Sequence, residues 1–329
     1  MSLSRRRFLQ GAAAGAAAVT VPPSSAEAFG PREAKTLPPN AVGMLYDSTL
    51  CIGCRACVVA CKSANDMPVE QPAHHCGWNE GTWDTAEDLS GKTLNVIRVY
   101  QDGTKEEKDR ETDGYAFVKR HCLHCVDPSC VSVCPVSAMQ KDPDTGIVSH
   151  DVDACIGCRY FVFGCPFGVP QYQFDDPFGE ISKCQMCSHL QAEGELPACC
   201  DVCPTGASLF GRVDALQKEA ARRQALTPGE PAIFERGELG GDRPSHEAPA
   251  AEYEEHVYGE NEVGGTQVLY LTGVPHEKLG LPKLQRTSYA AISEGIQNTI
   301  YRGLAAPIAL LAGLLYFARR TAKQEPTDE

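Results

Sequence analysis

Two runs of cysteine between Cys122 and Cys165 constrain this chain more than any other feature in it. The first reads Cys122-Leu-His-Cys125-Val-Asp-Pro-Ser-Cys130-Val-Ser-Val-Cys134-Pro135, and the second Cys155-Ile-Gly-Cys158-Arg-Tyr-Phe161-Val-Phe-Gly-Cys165-Pro166. Thiolates spaced by two or three residues chelate metal more readily than they form a disulfide framework. A further run lies on each side: Cys51-Ile-Gly-Cys54-Arg-Ala-Cys57-Val-Val-Ala-Cys61, and Cys184-Gln-Met-Cys187 followed by Cys199-Cys200-Asp-Val-Cys203-Pro204. In iron–sulfur ligation of this spacing, three close cysteines hold one cluster and the fourth, before proline, crosses to another. The last run alone would also suit a zinc ribbon, and an exported chain could spend its 17 cysteines on disulfides. Repetition of the spacing along one chain favours iron–sulfur over both, and the chemistry it indicates is electron transfer.

Counting ligands exposes a gap. Apart from Cys76 and Cys200, every cysteine of the 17 falls in a ligand position. Phe161 stands where the third cysteine of its run belongs, and a phenyl ring cannot ligate iron. The centre built on Cys155 and Cys158 is therefore expected to be [3Fe-4S], because an iron held only by sulfide and solvent is easily lost. Otherwise a non-thiolate ligand or a spare cysteine retains the fourth iron in an incompletely ligated [4Fe-4S] cluster. Cys200 reads as a small buried hydrophobe, and Cys76, in His74-His75-Cys76, has no assigned role. His121 and His124 read as hydrogen-bond donors near cluster sulfides, since no haem-attachment sequence accompanies them.

The rest of the chain frames these runs. Ser4-Arg5-Arg6-Arg7-Phe8-Leu9, the apolar stretch Gly11 to Val21 and the small-residue site Ala26-Glu27-Ala28 form a twin-arginine export signal over 1–28. Strands are expected at Asn95 to Gln101 and Tyr115 to Arg120, and a turn at Lys141 to Val148 leading into a short strand. Asp214 to Leu226 has helical composition, ending before Pro228-Gly229. Residues 228–265, rich in Pro, Gly and Glu, are expected to be an irregular surface segment, and Thr266 to Leu271 a covering strand. The apolar stretch Gly303 to Ala318, extended by Ile300 and Tyr301, is expected to be a transmembrane helix over 300–318. Arg319 and Arg320 place the tail 319–329 in the cytoplasm. The net charge of -13 argues against nucleic acid, and no Gly-rich nucleotide loop occurs.

These residues resemble the four-cluster iron–sulfur subunits of membrane-bound oxidoreductases, and most closely those of hydrogenase-2-type [NiFe] uptake hydrogenases. The likeness is carried by Gly43-Met-Leu-Tyr-Asp-Ser-Thr-Leu-Cys51, by His124 to Ala138, by Gly264 to Pro275 and by the C-terminal stretch with its arginine pair. It implies an α+β chain with a duplicated bacterial 2x[4Fe-4S] ferredoxin-like fold, inserted hairpins and one C-terminal transmembrane helix. The first ferredoxin half would occupy 29–120, the second 121–178, a return segment completing the first half 179–215, and a covering segment and linker 216–299. The family's ligand pattern implies Cys51, Cys54, Cys57 and Cys203 for cluster one, and Cys61, Cys184, Cys187 and Cys199 for cluster two. Cluster three would take Cys122, Cys125, Cys130 and Cys165, and the defective cluster four Cys134, Cys155 and Cys158. The resemblance further implies a non-catalytic relay on the periplasmic face of the cytoplasmic membrane. It would pass electrons from the small and large subunits of a [NiFe] hydrogenase to an integral membrane quinone-reactive subunit. The same relay could serve a formate dehydrogenase or a sulfur-compound or dimethyl-sulfoxide-type reductase, and a purely structural or assembly role is the reading from another class.

Overall fold

The computed structural model describes residues 30–70, 86, 88–173, 179 and 181–322. The export signal and Cys76 lie outside them. Two compact units result, one of residues 34–290 and one of the described residues to Glu33 with those from Ala291 onward.

The larger unit is built on β1 (Val42–Asp47), whose residues alternate between two interiors. Met44 and Tyr46 point into the core that also holds most of the cysteines, while Leu45 points into a second core. Burial on both faces explains why the strand reads as an almost unbroken apolar run. It pairs antiparallel with β9 (Ser208–Arg212) and parallel with β13 (Val268–Leu271), so that Leu45 faces Leu209 on one side and Leu269 on the other. A short strand β11 (Gly237–Glu238) completes the four-stranded sheet β11-β9-β1-β13. Over its second face lies the helix Val213–Gln224, which buries Val213, Leu216, Glu219, Ala220 and Arg223, one stripe of its surface. The fully buried leucines of this layer, Leu45, Leu209, Leu216 and Leu269, contribute roughly 1.5–3 kcal/mol each.

The cysteine-bearing face is covered by a hairpin-like layer, β2 (Val96–Gln101) against β4 (Gly114–Arg120), with β3 (Glu107–Lys108) at its edge. Two tyrosines that face each other across the parallel pair tie this layer down. Tyr46 Oη donates to the Phe117 carbonyl at 3.0 Å and Tyr270 Oη to the Lys119 carbonyl at 2.9 Å. Both β2 and β4 fall where the residue pattern places them, as do the hairpin of β5 (Met139–Lys141) with β6 (Val148–His150) and the helix after β9.

Two expectations are corrected. Residues 228–265 are not simply irregular: β10 (Pro231–Phe234) pairs with β12 (His246–Pro249) and sends Ala232 and Phe234 into the interior. The prolines stand at the strand ends, where a missing N–H costs no ladder bond. The C-terminal helix begins earlier than expected and runs Tyr289–Ala322 with Pro307 inside it. Among the described residues no helix is long and apolar enough to cross a membrane, so the structure lends no support to a span at 300–318. The stretch Gly303 to Ala318 falls short of the ~20 apolar residues a bilayer requires.

Candidate iron–sulfur sites

The cysteines are presented by loops of one repeated design. In Cys51-Ile-Gly53-Cys54-Arg55, Gly53 and Arg55 have φ of 68° and 58°, and the helix Ala56–Ala64 starts directly after. In Cys155-Ile-Gly157-Cys158-Arg159, the equivalent φ values are 67° and 63°, and the helix Tyr160–Gly164 follows. Positive φ turns the backbone so that its N–H groups face inward, and glycine takes it without strain. Thus Gly53 N–H approaches Cys51 Sγ at 3.5 Å, and Gly157 N–H approaches Cys155 Sγ at the same distance. At Gly53 space adds a second demand, since a Cβ would lie 2.3 Å from the Phe117 ring. The Cys-Pro runs are also paired. Ser129–Ser132 follows Pro128, Ala198–Asp201 follows Pro197, and each is one turn of helix entered from extended backbone.

These loops gather the sulfurs into neighbouring groups. Cys51, Cys54, Cys57 and Cys203 line one cavity, beneath Ile52 and Tyr46. Burial raises the Cys61 thiol, and the cysteines beside it that push it further are Cys184, Cys199 and Cys187. Burial likewise raises Cys125, whose neighbours are Cys165, Cys130 and Cys122. A second cavity is lined by Cys130, Cys134, Cys155 and Cys158 together with Phe161. Phe161 itself is 5% exposed and packs with Met139, Val148, Tyr172 and Ile181. The groups adjoin one another: Cys57 feels the charge of Cys199, and Cys184 that of Cys122.

The donor set suits iron–sulfur clusters. All 16 described cysteines are free thiols. Burial pushes Cys130 and Cys184 up to about 12, so a cation is needed to hold such sulfurs as thiolates. Among the described residues no three Cys, His, Asp or Glu side chains converge as ligands of a single ion would, and a cubane does not ask for this because each of its thiolates binds a different iron. Further N–H groups already point at sulfur, Met139 to Cys134 at 3.4 Å and Met186 to Cys184 at 3.3 Å.

The histidines divide. His124 Nδ1 accepts from the Val148 N–H at 3.0 Å, which places its proton on Nε2, a buried atom with no partner. That orphaned donor, next to Cys125, matches a sulfide acceptor. His121 is neutral, its pKa held down to about 3 by burial, and its Nδ1–H donates to the Cys122 carbonyl at 2.8 Å. The Nε2 of His121 therefore carries no proton and is not the sulfide donor the sequence suggested. Cys200 is fully buried, and its influence on the adjoining Cys199 holds that thiol below its ordinary value. What sequence reasoning missed is a set of buried lysines, Lys62, Lys119 and Lys183. The signal was present, since Lys62 follows Cys61 and Lys183 precedes Cys184.

Residues 114–213 match the 4Fe-4S dicluster domain family, and residues 2–22 match the twin-arginine translocation pathway signal sequence. The chain is 47% identical over 331 residues to the hydrogenase-2 operon protein HybA of Escherichia coli O157:H7, covering 99% of this chain and 98% of that one. The chain belongs to the HybA family. It is also 32% identical to the formate dehydrogenase-O iron-sulfur subunit of Escherichia coli K12, covering 84% and 80% of the two chains. The formate dehydrogenase iron-sulfur subunit of Haemophilus influenzae is 30% identical, covering 82% and 76%. As a HybA-family protein the chain is an iron–sulfur electron-transfer subunit, not a catalyst, and it carries a signal for export across the membrane.

Proposed function

We propose that this chain relays electrons, one at a time, from the small and large subunits of a periplasmic [NiFe] hydrogenase to an integral membrane quinone-reactive subunit. Four centres would carry them. Cys51, Cys54, Cys57 and Cys203 hold the first, Cys61, Cys184, Cys187 and Cys199 the second, and Cys122, Cys125, Cys130 and Cys165 the third, each a [4Fe-4S] cluster. Cys134, Cys155 and Cys158 hold a [3Fe-4S] centre beside Phe161. Bound there, the clusters supply one-electron redox capacity; the chain fixes their spacing, excludes water and sets the charge around them.

The observation that carries this reading is the order of the cysteine groups. The inner groups are buried, while each outer one opens to the surface among exposed apolar side chains. Ile52 (58% exposed) lies over the first; Ile156 (63%), Tyr160 (59%) and Phe163 (91%) lie about the last. An electron path with a docking face at each end fits a relay between two partners. Identity of 47% to a hydrogenase-2 operon protein, against 32% to a formate dehydrogenase subunit, favours hydrogen over formate as the source. Membrane attachment falls to the C-terminal helix, which exposes Ile300, Leu304, Ile308, Leu311 and Leu315.

The test is hydrogen-dependent quinone reduction in membranes from cells with and without the gene, beside hydrogen-dependent reduction of an artificial dye. Loss of the quinone reaction with the dye reaction retained is the expected result. Quinone reduction unaffected by the deletion, with no other relay present, would overturn the hydrogenase assignment and make formate the next donor to try.

A further inference from the structure

We propose that Gln267 is a positioning residue for electron transfer, holding the two halves of the relay at the separation that passage between the second and third centres requires. The inference rests on the cluster assignment proposed above, and concerns what keeps those centres in place.

Gln267 is fully buried and stands immediately before β13, so it enters the sheet beside β1. Its side-chain amide offers two donors and one acceptor oxygen, and all are taken. Nε2 donates to the Val42 carbonyl and, at 2.9 Å, to the Thr145 carbonyl, while Oε1 accepts from Lys141 Nζ at 2.7 Å. An ammonium can only donate and a carbonyl only accept, so the amide has a single orientation. The backbone is occupied as well. Its N–H is shared between the carbonyls of Leu123 at 3.1 Å and His124 at 3.3 Å, and its carbonyl accepts from the Met44 N–H at 3.0 Å.

These partners come from three parts of the chain. Val42 and Met44 belong to β1, which runs on to the Cys51 loop. Leu123 and His124 lie between Cys122 and Cys125, and Lys141 Nζ extends the grip to the Cys125 carbonyl at 3.0 Å. Thr145 belongs to the turn of the β5–β6 hairpin, whose Gly146 carbonyl takes a further Lys141 donor at 2.7 Å. One residue therefore joins the strand that delivers the first cysteine loop to the loop and hairpin of the second half. The turn is seated closely: Gly146 has φ of 73°, and a Cβ there would stand 2.3 Å from Gln267 Oε1. A buried polar group left without a partner is costly, so a joint whose members are all paired is stiff. Electron tunnelling slows steeply with distance, and a stiff joint between the halves holds that distance constant.

The test is EPR of the fully reduced full-length protein, with iron and sulfide analysis, beside hydrogen-dependent quinone reduction per assembled complex in membranes. It compares wild type, Gln267→Met, Gly146→Ala and Asn40→Ala. Two reduced clusters held close together split each other's signals, by an amount that falls steeply with their separation. At wild-type iron content, Gln267→Met and Gly146→Ala should alter that splitting and slow quinone reduction roughly tenfold, as misplaced reacting groups do. Asn40→Ala, which removes an exposed 2.7 Å bond to Asp144 at the same turn, should match wild type in both readouts. Unchanged splitting or an unchanged rate in the first two variants overturns the proposal, as does an equal change in Asn40→Ala or a fully reduced wild type without coupled signals. If Gln267→Met alone loses iron, Gly146→Ala decides; if both lose iron, Gln267 serves assembly and the positioning role falls. Absence of any iron–sulfur signal from wild type would instead overturn the cluster reading itself.

Discussion

The carboxylate of Asp47 meets the guanidinium of Arg223 at 2.9 Å with neither side chain exposed to solvent. Asp47 ends β1, four residues before Cys51, and its other contacts are the Thr49 N–H and hydroxyl and the Tyr253 hydroxyl. Arg223 also binds Glu219 at 2.8 Å. The pair pins the helix that follows β9 to the strand that delivers the first cysteine loop. Arg223→Met leaves the buried Asp47 carboxylate without a cation, while Glu219 keeps Arg222 at 2.6 Å, and should destabilise the protein by about 3–5 kcal/mol. Loss of the visible iron–sulfur absorbance at a lower guanidinium concentration is the reading, and the Asp47→Asn, Arg223→Met double variant should cost less than the sum of the single changes.

Asp109 should make stability depend on pH. Burial raises its carboxyl from the ordinary 3.8 to about 6, against the attraction of Lys108, and its Oδ1 has no hydrogen-bond partner. A carboxyl with a raised folded-state pKa favours folding when protonated, so its contribution is present at low pH and is lost as pH rises through about 6. The shift corresponds to roughly 3 kcal/mol at most. Denaturation between about pH 5 and pH 7 should show Asp109→Asn gaining on wild type as pH rises; a difference independent of pH would refute the assignment.

Cys199 and Cys200 adjoin in sequence, and only the first is proposed as a ligand. Cys199→Ala should remove up to one cluster of iron per chain. Cys200→Ala deletes a buried thiol at a cost of roughly 1 kcal/mol and should leave iron content at the wild-type value. Equal losses in the two variants would mean that the ligand has been misassigned.

Phe161 stands where the third cysteine of its run belongs, in the group proposed as the last of the relay. If a [3Fe-4S] centre sits there, Phe161→Cys supplies the missing thiolate, and its EPR signal, present in the oxidised wild-type protein, should be replaced by one seen only on reduction. An unchanged oxidised-state signal in the variant speaks against the assignment.

Much of this architecture was legible because its causes are local. Cysteine spacing is a property of single loops, and β2, β4 and the helix after β9 each carry their own residue pattern. The β10–β12 pair was not legible, because only Ala232 and Phe234 mark it and its partner lies beyond a polar turn. Lys119 escaped for the opposite reason. In Phe-Val-Lys119-Arg120-His it reads as the solvent side of a strand, and only the return of the chain through Ser208 encloses it. The length of the C-terminal helix was hidden by Ser293 to Thr299, which are polar enough to read as linker.

The cavity that joins Cys51 to Cys203 also bears on how the protein is made. Cys122 to Cys165 leave the ribosome together, so the second half has its whole loop set within one short stretch of nascent chain. The first half opens with Cys51 and waits for Cys203, with the entire second half emerging in between. In the proposed relay, synthesis therefore runs against the order of the centres: the cysteines of the third and fourth are all made while the first still waits for Cys203. Because twin-arginine export moves folded protein, closure at Cys203 has to be completed before the chain is fit to leave the cytoplasm.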